Sequence, residues 1–176
     1  MLIKLQGKIL PAMLTKSQEF TQLIRENKGI IYKICNSYCA AKDDRDDLAQ
    51  EIVYNLWKSF GNFNEQFKFS TWMYRIALNV AISFYRGERK FKNHNSISEG
   101  LIVFEDDSQA ENEVESNLQL LQSFINELKE IDKAIILLYL DGKSHKEISE
   151  ITGFTETNVG TKINRIKDKL RTNFSK

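Results

Sequence analysis

The sequence predicts an all-α protein built as two small helical domains joined by a flexible acidic linker. Three observations lead there. Apolar residues recur at spacings of three and four in one stretch after another, no segment shows the alternation of a half-buried strand, and the only proline is Pro11, so no later helix meets a proline break. Charge is segregated along the chain. Residues 68–92 hold six basic groups against one acidic for +5, residues 93–117 hold seven acidic groups and no Lys or Arg for −7, and residues 157–176 hold six basic against one acidic for +5. The acidic segment also loses helical periodicity and gains Ser, Asn and Glu, which marks it as a linker despite a short Leu-Ile-Val-Phe run.

A chain of 176 residues with 41% hydrophobic and 28% charged residues has apolar material for one core or two small ones. The opening MLIKLQGKILPAML has only short apolar runs broken by lysines, too little for a signal-peptide core or a membrane span, so a cytoplasmic protein is expected. Residues 1–16 are expected as an arm, either disordered or an over-long start ahead of Met13, with the first helix beginning at Thr15 or Ser17. A formal net charge of +1 argues against indiscriminate coating of nucleic acid, which needs a positive surplus. Two basic poles around an acidic middle suit two nucleic-acid contacts held apart by a repelling spacer.

The first domain, residues 17–92, carries three helical patterns. From Ser17 to Tyr38 the apolar positions are Phe20, Leu23, Ile24, Ile31, Ile34 and Tyr38. Cys35 and Cys39 stand four apart on that helix, but with no other Cys and with His94 and His145 far off they fall short of the roughly four ligands of a zinc site, and they read as reduced buried thiols. Residues 41–60 place Leu48, Ile52, Leu56 and Phe60 on one stripe and crowd Asp43, Asp44, Asp46, Asp47 and Glu51 into the first turns, where carboxylates favour the positive end of the helix dipole. That placement accounts for the aspartates without a metal or acid/base site and leaves a charged docking face for a protein partner. A polar and aromatic connection, GNFNEQFK, then leads into FSTWMYRIALNVAISFYRGERKFK, residues 69–92. As a helix capped by Ser70 and loosened at Gly87, it puts Met73, Ile76, Ala77, Val80 and Phe84 on one side and Arg75, Asn79, Arg86 and Arg89 on the other. Basic residues interleaved with Phe69, Trp72 and Phe91 suit a surface that holds phosphates and stacks on unpaired bases, although Trp72 alternatively plugs a seam between helices.

The second domain, residues 118–176, begins with Leu118, Leu121, Ile125 and Leu128 on one helix and AIILLYL on the next. A short helix with Ile148 and Ile151, a turn at Gly153 and a longer helix capped by Thr155 follow. Val159, Ile163, Ile166 and Leu170 face inward, leaving Asn158, Thr161, Lys162 and Arg165 outward. A short helix, a glycine turn and a second helix with a polar, basic outer face is the pattern of a DNA-binding helix-turn-helix.

With these motifs in order, DDLAQEIVYNLW at 46–57, FSTWMYRIALN at 69–79 and NVGTKINRIKDKL at 158–170, the chain resembles the extracytoplasmic-function group of sigma-70 factors, bacterial transcription initiation factors that keep only the second and fourth sigma regions. The resemblance implies that Asp46, Asp47, Gln50, Glu51 and Asn55 dock on the clamp helices of the largest subunit of core RNA polymerase. It implies that Phe63, Asn64, Trp72, Arg75, Asn79 and Arg86 read a melted minus-ten promoter element. The terminal helix, through Asn158, Thr161, Lys162, Asn164 and Arg165, would read a minus-thirty-five duplex. It further implies an anti-sigma partner, no cofactor, and a specificity subunit in place of an enzyme. Two positions depart from the family pattern, Ser83 where many relatives carry Asp and Gly160 where a basic residue is common. A stand-alone helix-turn-helix regulator with a sensing or dimerising N-terminal half is the alternative function. A nuclease built on the Asp cluster is disfavoured, because the helix start explains those residues.

Overall fold

A computed structural model of the chain describes residues 2–64, 66–94 and 112–174, with side chains over 15–64, 66–87 and 120–172. It holds seven α-helices among the described residues: α1 (Leu2–Tyr38), α2 (Lys42–Ser59), α3 (Phe69–His94), α4 (Asn112–Glu127), α5 (Glu130–Leu140), α6 (His145–Thr152) and α7 (Glu156–Phe174), with a 3-10 turn at Phe60–Asn62. None of the helices is long and apolar enough to cross a membrane, among the described residues.

Helices α1, α2 and α3 form the N-terminal bundle. The stripe Leu48, Ile52, Leu56 and Phe60 is buried as its spacing requires, and it meets Ile31, Ile34 and Cys35 of α1 and Met73 and Ala77 of α3. Asp43 and Asp44 occupy the first turn of α2, and Ala41 at the N-cap offers no side-chain cap, so the helix dipole is met by charge alone. Cys35 and Cys39 are buried thiols outside any disulfide, and burial, helped by the charge of Asp46, pushes the Cys35 thiol up to about 11, which keeps it protonated and inert.

Four boundaries differ from the sequence reading. Helix α1 starts at Leu2 and runs through the residues expected as an arm and through Pro11. The Leu, Lys, Gln, Ala and Met content of that stretch favours helix and outweighs the lost donor and the ring clash of one proline. Helix α3 begins at Phe69, so Ser70 lies inside it; the Lys68 carbonyl accepts from the amides of Thr71 and Trp72 and so opens the helix ahead of where a Ser70 cap would. Gly87 does not end the helix, which continues to His94. Helix α4 begins at Asn112, so helix takes both flanks of the expected 93–117 linker, while residues 95–111 of it, and the contact expected of Leu118, lie outside what is described.

Helices α4 to α7 form the C-terminal unit. Phe124, Ile125, Ile136 and Ile166 make a small core of its own. Its remaining buried residues, Ala134, Ile135, Leu138, Ile148, Ile151, Val159 and Ile163, belong to one core continuous with that of the N-terminal bundle. Helix α3 is the shared wall. At 100° per residue its buried and half-buried apolar side chains cover an arc of about 240°, and the strip carrying Trp72, Arg75, Asn79, Ser83 and Arg86 lies outside it. Sequence spacing identified one side of that arc; Tyr74, Leu78 and Ile82 extend it toward α5 and α6.

Polar grips accompany the apolar contact. Asp141, just past α5, accepts from Lys33 of α1 and from the Tyr74 hydroxyl of α3. Burial alone would raise the Asp141 carboxyl, but the bonds from Lys33 and Tyr74 and the charges of Lys33 and Lys143 outweigh it and hold the group below the ordinary value of 3.8. A carboxyl lowered in the folded state adds stability above its ordinary value and loses it as pH falls through the lowered one. Asp141→Asn should therefore melt several degrees below the parent at pH 6, with the gap closing toward pH 3. A gap independent of pH would show that the charge of Asp141 does not contribute.

Candidate nucleic-acid and protein-docking surfaces

Three exposed faces stand on this scaffold. The first is the outer side of α2. Asp46, Asp47, Gln50 and Glu51 are exposed there, whereas Asn55 sits on the flank, half-buried, with its amide donating to the Glu51 carbonyl at 2.9 Å. The same face carries two residues the sequence reading missed, Tyr54 and Trp57, exposed at 63% and 39%. With Ser17, Phe20, Ala49, Gln50 and Val53 they line an apolar groove between α1 and α2. Their signal was in the sequence: Tyr54 and Trp57 follow Gln50 by four and seven, the spacing that continues one helix face. Large aromatic surface beside carboxylates is the makeup of a protein-docking site.

The second face is the open strip of α3. Trp72, Arg75, Asn79 and Arg86 fall within about 60° of one another around the helix axis. Arg75, Asn79 and Arg86 are exposed and Trp72 is half-buried. Trp72 packs on Phe63 with ring centroids 5.2 Å apart, and Phe60, Phe63, Phe69 and Trp72 contact one another as an aromatic cluster between the 3-10 turn and the start of α3. This cluster brings Phe63 against Trp72 of the helix strip, and Asn64, next in the chain, is exposed. Trp72 thus fills the seam with one part of its ring system and leaves another part accessible. Arg89, Lys90, Phe91 and Lys92 lie beyond the described side chains.

The third face is the outside of α7. Thr155 caps the helix, its hydroxyl accepting from the Asn158 amide at 3.3 Å, and Gly153 takes φ 78°, the left-handed turn that lets α6 stop and the chain swing into α7. Ser144 and Glu147 form a reciprocal capping box at the start of α6. The Ser144 amide and hydroxyl donating to Glu147 hold that carboxyl below its ordinary value. Val159, Ile163 and Ile166 are buried, and Asn158, Thr161, Asn164 and Arg165 are exposed. Lys162 differs from the other four predicted readers. It is half-buried and ion-paired to Asp132 of α5 at 2.8 Å, with its ammonium over the Phe154 ring. Lys167 likewise turns inward to the Tyr139 hydroxyl at 2.6 Å. At Gly160 a side chain would meet the His145 ring at ordinary contact distance, 3.5 Å.

No group of three or more His, Cys, Asp or Glu side chains stands together as a metal site among the described residues. The arrangement offers surfaces for anions, bases and protein.

Comparison with known proteins agrees with this division. Residues 23–91 match the family Sigma-70 region 2, and residues 118–170 match Sigma-70, region 4. The chain is 28% identical over 162 residues to the ECF RNA polymerase sigma factor SigW of Bacillus subtilis, covering 86% of this chain and 87% of that one. It is 26% identical over 161 residues to the ECF RNA polymerase sigma-E factor of Haemophilus influenzae, covering 86% and 85%. Its fold is similar to that of the sigma factor RpoE solved in complex with the anti-sigma factor NepR from Bartonella quintana, with TM-score 0.69, 18% identity and coverage of 90% of this chain and 98% of that one. It is also similar to CnrH solved with the cytosolic domain of CnrY, with TM-score 0.65, 20% identity and coverage of 90% and 89%.

The capping box makes a direct prediction for the helix-turn-helix. Ser144→Ala removes the box and should lower stability by about 1 kcal/mol, read as a lower denaturation midpoint at unchanged slope. A midpoint within error of the parent would mean the box contributes nothing in solution.

Proposed function

Because the chain belongs to the extracytoplasmic-function group of sigma-70 factors and directs RNA polymerase in promoter recognition, we propose that each of its three exposed faces serves one contact of initiation. The protein is a specificity subunit and not an enzyme; polymerase performs the chemistry. The observation that carries the residue-level reading is the arrangement of α3, where burial on two sides leaves one narrow strip of Trp72, Arg75, Asn79 and Arg86 beside Phe63 and Asn64. Arginines on that strip hold backbone phosphates, and the amides of Asn64 and Asn79 read base edges that only an opened minus-ten element exposes. Trp72 and Phe63 supply the stacking surface for such bases.

The outer face of α7 enters the major groove of a minus-thirty-five duplex with Asn158, Thr161, Asn164 and Arg165. Lys162, tied to Asp132, adds charge near the phosphates and less to base reading. The α2 face meets core polymerase at the clamp helices. Asp46, Asp47, Gln50 and Glu51 give it charge, Asn55 flanks it, and the groove of Phe20, Tyr54 and Trp57 gives it apolar area. Such a protein works in the cytoplasm beside its polymerase. The solved RpoE and CnrH complexes support an anti-sigma factor as a second protein partner for this chain.

Two measurements test the assignment. Replacing Asp47 and Gln50 together by Ala should weaken co-purification with core polymerase while helical content stays intact, and Tyr54→Ala should weaken it further. Unchanged core affinity in both would leave the α2 face without a role, and a parent protein that ignores core altogether would identify a stand-alone regulator. In run-off transcription, Arg165→Ala should lose about 1 to 3 kcal/mol of discrimination between upstream elements. Sensitivity only to downstream-element changes would contradict the domain roles.

A further inference from the structure

A carboxylate of α5 stands against the helix that reads duplex DNA. Asp132, in the first turn of α5, accepts from the Lys162 ammonium at 2.8 Å, and the same ammonium lies 5.6 Å from the centroid of the Phe154 ring. Both members of the pair are mostly covered, with side chains 27% and 23% exposed. A fully exposed ion pair holds its partners loosely, because water and salt compete for each charge. Here the ring and the partial burial remove part of that competition, so the ammonium has a defined place.

That place matters because of where Lys162 starts. It follows Asn158 by four residues and precedes Arg165 by three, so the three side chains leave α7 along one edge. Asn158 and Arg165 are exposed on that edge, while the Lys162 ammonium is turned back to α5. A lysine without this anchor would sweep its charge across the face that meets DNA.

Other cations of α7 are held differently. Lys167 reaches the Tyr139 hydroxyl at 2.6 Å, with its ammonium 4.3 Å from the ring centroid, and a hydroxyl partner supplies direction without a countercharge. Arg171 stands 3.5 Å from Asp168 of its own helix, with both side chains exposed, an arrangement for which water competes freely. Asp132 differs from both: it brings a full countercharge from another helix and fixes it beside the reading face.

Affinity for phosphate counts such charges. Each cation that reaches a backbone phosphate releases counterions and steepens the dependence of log affinity on log salt by about 0.9. This part of the affinity is the same on every sequence, so withholding one cation weakens the hold on all duplex and leaves base contacts untouched.

We propose that Asp132 is a positioning residue for DNA recognition: by fixing the Lys162 ammonium against α5 it holds that charge near the phosphates but short of contact, and it keeps the sequence-independent affinity of the recognition helix low. The inference rests on the reading of α7 as the helix for the minus-thirty-five duplex. Base discrimination stays with Asn158, Thr161, Asn164 and Arg165. Polymerase carrying this chain then leaves DNA that lacks the upstream element instead of dwelling on it.

The test uses the full chain assembled with core polymerase. Binding is measured to a promoter fragment and to the same fragment with its upstream element scrambled, over salt from about 50 to 200 mM. Asp132→Asn keeps the size of the residue and removes its charge. It should raise affinity for both fragments about fivefold near 0.1 M salt, steepen the salt slope by about 0.9, and leave the ratio between the fragments within about twofold of the parent. Asp132→Glu, which retains the countercharge, should bind with the parent's slope. Lys162→Met should cost much more affinity on the Asp132→Asn background than on the parent, because the ammonium reaches phosphate only when released. Equal losses on the two backgrounds would mean that the charges act independently through space, and would overturn the proposal. A lower denaturation midpoint for Asp132→Asn with no change of salt slope would overturn it too, leaving the pair as packing support. Arg165→Ala on the same fragments separates the inference from the reading beneath it. If that variant still discriminates between the fragments as the parent does, the assignment of α7 falls and the inference with it. If it loses discrimination while Asp132→Asn keeps the parent's slope, the inference alone falls.

Discussion

Everything in this protein leans on the burial of α3 from two directions. An amphipathic helix usually hides one stripe and shows the rest, but α3 packs on α1 and α2 with Met73, Ala77 and Ala81 and reaches toward α5 and α6 with Tyr74 and Leu78. Small residues at 77 and 81 let neighbouring helices approach, and the larger ones fill the second interface. The strip left over is narrow, and it is held from behind by side chains that sit in a packed core with few alternatives. Recognition of single bases depends on such rigidity, because a contact that moves by an ångström no longer distinguishes one base edge from another.

The distribution of positive charge shows the same restraint. Formal charge counts make the C-terminal segment strongly basic, yet Lys162 and Lys167 are committed to Asp132 and Tyr139 of α5. These lysines fasten the recognition helix to its support as much as they present charge to solvent. A protein carried to DNA by a large partner has little need for strong affinity of its own, and surplus positive charge would add binding to every sequence equally. The groove of Phe20, Tyr54 and Trp57 follows the complementary logic: it exposes apolar surface that a lone soluble protein gains nothing by showing.

Much of this was legible in the sequence because it is periodic and local. Leu48, Ile52, Leu56 and Phe60, or Val159, Ile163 and Ile166, announce their faces by spacing, and the Gly153 turn and the Thr155 cap announce the helix-turn-helix. Local signals failed where neighbours in space overruled them. Ser70 looked like a cap, but the helix already begins at Phe69 with Lys68 ahead of it, and Gly87, expected to loosen the helix end, lies inside a helix that runs on to His94. The seam between the two halves was invisible for a stronger reason. Tyr74 and Lys133 acquire their environments from distant partners, Asp141 standing 67 positions from Tyr74 and Ser37 standing 96 from Lys133, and no periodicity within either segment points to the other. Lys133 in particular reads as a solvated residue before an apolar run and is among the least exposed side chains in the protein. Tyr54 and Trp57 were readable in principle, since they lie on the same helix face as Gln50, but attention to carboxylates passed over them.

The unequal division of the core has a consequence for the life of the chain. The C-terminal unit keeps only Phe124, Ile125, Ile136 and Ile166 as a cluster of its own and shares the rest with the bundle. Docked, the two halves share one hydrophobic interior and melt as a single cooperative unit, each lending stability to the other.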